Sequence, residues 1–190
     1  MIHAALSLLA GQLNQHLRSS FDLTEDLVVL SNLHEQNGSL VPLVANKVVM
    51  FLTGIERETA AHRSFDGSIN AHAAMPGPAP VFLNLMTMCA GNFSGPNYPE
   101  ALKCLSYTIQ FFQGRPVFDH ANAPDMDADL DRLVLSIENL SSSEMHSLWG
   151  IHSGRYLPSV LYRVRMVSMD ARNVQRLDPL IHHSDVRTFT

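Results

Sequence analysis

The chain has 190 residues, 46% apolar and 16% charged, enough to bury the core of one compact domain. Its 13 basic and 18 acidic residues leave a formal charge of −5, which gives no overall attraction to phosphate polyanions or acidic membranes. Neither nucleic acid nor membrane is therefore an expected partner.

Two cysteines, Cys89 and Cys104, stand outside any paired spacing and predict buried thiols rather than a disulfide framework or a zinc site. The opening run MIHAALSLLAGQL has no basic segment ahead of it, and no window reaches 18 uninterrupted apolar residues. The expectation is a chain made soluble in the cytosol.

Ile2, Ala5, Leu6, Leu9, Leu13 and Leu17 recur at spacings of three and four, which predicts an amphipathic helix over residues 2–19. A strand-like run, LVVLSNL, follows at 27–33. The turn EQNGS at 35–39, with Asn37-Gly38 able to take positive φ, predicts that a second strand at 46–56 returns antiparallel. In that strand the alternating sets Val48/Met50/Leu52 and Val49/Phe51/Ile55 are both apolar, which suits a central strand covered on two faces. Periodicity is lost over 57–80, a Gly- and Pro-containing loop with scattered His and Arg. A third doubly apolar strand, VFLNLMTMCAG, occupies 81–91.

Asn97, Pro99 and Glu100 read as a helix start, and Gly114 with Pro116 as its stop, so residues 98–113 form a second helix. Leu102, Leu105, Ile109 and Phe112 make one apolar stripe; Ala101, Cys104, Thr108 and Phe111 make another beside it. Phe111 and Phe112 point about 100° apart, so one sheet surface does not cover both rings equally. The second cover is either the first helix or another subunit. After PVF, RLVLSIENL at 132–140 alternates with Leu133, Leu135 and Ile137 inward. Ser141 and Glu144 form a capping box ahead of a short helix through Trp149. The last strand, 158–169, sets Val160, Tyr162, Val164 and Met166 against Arg163 and Arg165, and one of these arginines is expected beside Glu138. The element order α-β-β-β-α-β-β-α-β predicts a single α+β domain over 1–169, with a mixed or antiparallel sheet, helices packed on it, and a C-terminal tail over 170–190.

Signals for chemistry are weak. Ten histidines carry no H-E-x-x-H, H-x-H or helical Glu-x-x-His spacing, so scattered surface histidines are favoured over a metal site. Asp125, Asp127, Asp129 and Asp131 alternate as in a calcium loop, but Leu130 and Ser136 stand where Gly and Glu are required. No nucleophile elbow and no phosphate-binding glycine motif is present. No enzyme, metal or cofactor is predicted.

Four strings, FDLTEDLVVLSNL, VFLNLMTMCAGNF, PEALKCLSYTIQFFQGRPVF and LWGIHSGRYLPSVLYRVRM, resemble the tube-terminator or cap family of extracellular contractile injection systems. These are phage-tail-like particles such as the Photorhabdus virulence cassettes and the antifeeding prophage. The resemblance covers about residues 1–169, and its most specific pieces are F-F-Q-G-x-P-V-F and the L-W-G … Y-x-P-S-V-x-Y-x-V-R-M block. It implies a structural ring, commonly a hexamer, seated on the last layer of the inner tube, stopping its growth and joining the sheath end. The implied partners are further copies of the chain, an inner tube protein and a sheath protein, assembled in the cytoplasm into a particle that is released in some systems. It implies no catalytic residue.

Candidate contacts with the tube or between copies are Arg63, Phe65 and Met75 in the irregular loop, Asn92, Phe93 and Tyr98 before the second helix, Phe111, and Phe189 in the tail. The competing readings are a phage-type tail completion or baseplate component, which the same fold could serve, and a hydrolase with a histidine-bound metal.

Overall fold

The apolar stripe of the first segment winds a helix, α1 (Ile2–Phe21), that buries Leu6, Leu9, Ala10, Leu13 and Leu17. It stops at Asp22, which takes a left-handed φ of 52° and donates its backbone N–H to the Arg18 carbonyl. A computed structural model describes residues 1–35, 37–39, 41–58, 81–152 and 155–168. The tail over 170–190 and nearly all of the irregular loop lie outside the described residues.

Six strands form one sheet in the order β1-β2-β3-β6-β5-β4, from β1 (Val28–Leu30), β2 (Lys47–Arg57), β3 (Val81–Asn92), β4 (Val117–Asp119), β5 (Leu130–Glu138) and β6 (Ser159–Ser168). The fold is α+β, with the element order read from the sequence. The expected antiparallel return after Asn37-Gly38 is not what forms, because β1 and β2 are parallel, with Val28 beside Val48 and Leu30 beside Met50. Gly38, at φ 82°, does turn the chain, but it closes a local pair in which Glu35 N–H donates to Ser39 O and Val41 N–H to Leu33 O. A second reversal then follows, a 3-10 turn at Pro42–Val44 and Asn46 at φ 55°. Two reversals in succession leave β2 running with β1.

The remaining neighbours are antiparallel, and β6, last in sequence, lies between β3 and β5. One face of the sheet packs Val48, Met50, Leu85, Cys89, Leu133, Leu135, Tyr162, Val164 and Met166 against α1 and α2 (Tyr98–Gly114). The opposite face packs Val49, Phe51, Met88, Ala90 and Leu161 against Trp149 of α3 (Ser142–Ile151). Val48, Met50 and Leu52 thus serve one cluster and Val49 and Phe51 the other, but Ile55, expected with the latter pair, is 50% exposed because a register shift between Leu52 and Gly54 breaks the alternation.

Four local expectations change or sharpen. The core stripe of α2 is Ala101, Cys104, Leu105, Thr108 and Phe112, while Leu102 is 46% exposed. The cause is the close approach of α2 to β3: a Cβ on Gly91 would stand 3.0 Å from the Ala101 Cβ, so small residues mark the line of contact and Leu102 is rotated outward. The Asn97 side chain does not cap α2; its amide faces Asn46 instead, and Glu100 pairs with Lys103 at 2.8 Å. Ile137 is 37% exposed although it shares a face with Leu133 and Leu135, because it lies beyond Val134, where β4 stops pairing with β5. The capping box on α3 forms in full, with Ser141 and Glu144 bonding each other's backbone N–H.

Candidate functional site

Among the buried groups, burial pushes the Cys89 thiol up to about 12 and raises the Cys104 thiol as well, so neither supplies a thiolate near neutral pH. Burial also raises the Tyr162 phenol, and its hydroxyl lies inside the core without a hydrogen-bond partner. No group of three or more His, Cys, Asp or Glu side chains among the described residues could hold a metal ion. What the described residues offer is surface.

Of the contact residues read from the sequence, Arg63, Phe65, Met75 and Phe189 lie outside the described residues. Asn92 is engaged internally: its side-chain amide donates to Val44 O at 2.9 Å, and its backbone carbonyl accepts from Asn46 N–H, which pins the 3-10 turn to the end of β3. Phe93 packs against the large core cluster. Tyr98 is 48% exposed at the start of α2, one helical turn before the exposed Leu102, so these two present an apolar step at that corner. Phe111 stacks on His16 of α1, ring centroids 4.8 Å apart, and also meets Phe112 and Phe118. The first helix is therefore the second cover that the Phe111-Phe112 pair needs.

Three features go beyond what was read from the sequence. On the α3 side the sheet changes from apolar to charged along its strands: Glu138 pairs with Arg163 at 3.0 Å, as expected, and Arg165 pairs with Glu58 at 3.0 Å, with Asn84 donating to the same carboxylate. The alternation of β6 foretold the arginines, but Glu58 follows β2 and no local spacing links it to Arg165.

Second, a trough of about 550 Å³ runs between α3 and β2, lined by Leu52, Thr53, Leu140, Leu148, Ile151 and His152. Ile151 on its rim is 83% exposed. Burial, and then the neighbouring His34, lower the His152 imidazole below its ordinary value. His152 lies edge-on to Phe51 at 5.0 Å. Third, α1 reaches both terminal strands: Asn14 bonds β1 at Val28, and Gln12 accepts from Arg115, which also donates to Asn122 beside β4.

The described residues form one α+β domain, with helices on both faces of a six-stranded sheet. The chain belongs to the Pvc16 N-terminal domain family, whose profile matches residues 5–183. No curated protein matches the sequence. Among solved structures, a PVC sheath/tube terminator of an extracellular contractile injection system, in its extended state, shares the fold with a TM-score of 0.60 and 11% identity, over 99% of this chain and 65% of that one. The tube terminating cap of the anti-feeding prophage aligns with a TM-score of 0.57 and 15% identity, over 90% of this chain and 57% of that one. The chain thus spans less than two thirds of the length of either relative.

Proposed function

We propose that this chain is a structural cap of a contractile injection system, acting by binding as a ring at the end of the inner tube and stopping its growth. The observation that carries the reading is family membership over residues 5–183, joined to a fold shared with two tube terminators. A cap has to bind a repeating ring on one side and refuse the next ring on the other, which calls for head-to-tail contacts that close by rotation.

The finer reading is a hexamer that meets both the last tube layer and the sheath end, assembled in the cytoplasm. The apolar step at Tyr98 and Leu102 and the exposed Ile151 supply candidate contact points, alongside Arg63, Phe65, Met75 and Phe189. No helix among the described residues is long and apolar enough to cross a membrane.

Deletion of the gene tests the role directly. Particles without the cap should carry tubes of scattered length, measured by negative-stain imaging, and purified protein should form closed rings that bind isolated tube ends. Tubes of unchanged length would overturn the assignment, and rings found only at the baseplate would favour a tail-completion or baseplate part.

A further inference from the structure

Outward-facing peptide groups of each terminal strand are bonded from within the chain: Val28 N–H and C=O at β1, and Val117 C=O and Asp119 N–H at β4. In β1, Leu27 O accepts from Val48 N–H and Ser31 N–H donates to Met50 O, so the groups of Leu27 and Ser31 face β2 and those of Val28 face away. The Asn14 side chain takes both: its Nδ2 donates to Val28 O at 2.8 Å, and Val28 N–H donates to its Oδ1 at 2.7 Å. Asn14 is 9% exposed, and it comes from α1.

At the opposite edge, Leu135 N–H donates to Pro116 O, which turns Val117 O and Asp119 N–H outward from the sheet. The Asn122 side chain bridges these two, donating from Nδ2 to Val117 O at 3.0 Å and accepting Asp119 N–H at 3.3 Å. Arg115 holds Asn122 by donating to its Oδ1, and Gln12 of α1 accepts from the same guanidinium. A carboxamide has the donor and acceptor of a peptide unit, so each asparagine stands where a further strand would bond.

We propose that Asn14 and Asn122 are edge locks: each substitutes for a neighbouring strand, so copies of this chain associate through contacts other than strand pairing across β1 or β4. An open row of N–H and C=O groups is a template for unlimited addition, and here a donor and an acceptor in each row are taken from within the chain. The inference rests on the cap reading only for its purpose, since a terminator that offered a free sheet edge would invite the growth it exists to stop. The locks themselves are a property of the isolated chain.

Amide hydrogen exchange on dilute wild-type protein, repeated on the protein at ring-forming concentration, tests the locks without mutation. Val28 and Asp119 amides should exchange at least roughly tenfold more slowly than an unbonded strand amide in both samples. Protection that appears only on association would overturn the proposal.

The variants Asn14→Ala, Asn122→Ala and their combination carry the second arm, with circular dichroism confirming the fold. Each single variant should add edge-to-edge pairs in sedimentation, and the combination should add open-ended polymers. Folded variants that keep the wild-type size distribution would sink the idea. Failure of the cap reading would show instead as absent tube binding with the exchange pattern intact.

Discussion

Phe112 and Phe111 are adjacent in sequence but do unequal work. Phe112 is 2% exposed and meets Phe118 and Tyr162 edge-on, while Phe111 is half-buried against His16. Phe112→Ala should cost about 3–5 kcal/mol and Phe111→Ala less than about 2 kcal/mol, read from urea denaturation midpoints at unchanged slope. Equal losses would mean that Phe111 is as deeply seated as its neighbour.

His152 gives the molecule an acid-sensitive spot. Its folded-state value lies below the ordinary 6.5 because burial, and then His34, disfavour the charged form. The unfolded chain therefore binds this proton more tightly than the folded one, so the contribution is fully present above about 6.5 and is lost as pH falls through the depressed value. Glu35 lines the neighbouring depression with His34 and His152, and Glu144 lines the trough. His152→Gln should flatten the fall in thermal midpoint between about pH 7 and about pH 5. A fall as steep as that of the parent would assign the sensitivity elsewhere.

At the scale of the elements, α3 shows how a short helix is held. It spans Ser142–Ile151 and buries Trp149, so its start depends on the box that Ser141 and Glu144 close. Ser141→Ala removes the oxygen that accepts Glu144 N–H and should cost about 1 kcal/mol, with a shift in Trp149 fluorescence. The Glu144 carboxyl is held below its ordinary value chiefly by the Ser141 side chain and then by its backbone N–H. Its support is therefore present above the ordinary carboxylate value and is lost as pH falls through the lowered one. Stability unchanged in Ser141→Ala would show that Trp149 packing alone sets the helix.

On the scale of the whole molecule, one sheet separates two clusters, and its central strands serve both. Cys89 and Cys104 belong to the cluster under α1 and α2, and Trp149 belongs to the other. Thiol labelling and Trp149 fluorescence should therefore report the same denaturant midpoint, because neither face can be lost while β2, β3 and β6 stay paired. Separate midpoints would divide the fold into two units. The large cluster also explains the reach of α1, whose Leu13 and Leu17 fill it while Asn14 and Gln12 turn to the two edges.

The sequence by itself determined what depends on near neighbours in the chain. The 3.6-residue stripe defined α1, the double alternation placed β2 and β3 at the centre of the sheet, and Ser141 with Glu144 fixed the start of α3. That Glu138 pairs with one of the two β6 arginines was also legible, since adjacent alternating strands bring opposite charges on one face together, and the structure shows it to be Arg163.

Only the tertiary structure decided what depends on where elements cross. The parallel course of β1 and β2 came from a second reversal that local turn chemistry does not announce, and Leu102 turned outward because Gly91 lets α2 approach β3 so closely. Likewise, no local spacing singles out Asn14; what its side chain bonds is set by Val28, fourteen residues away. Periodicity reports which face a residue lies on; which atoms fill the space opposite is set by packing between distant segments, and no local pattern records it.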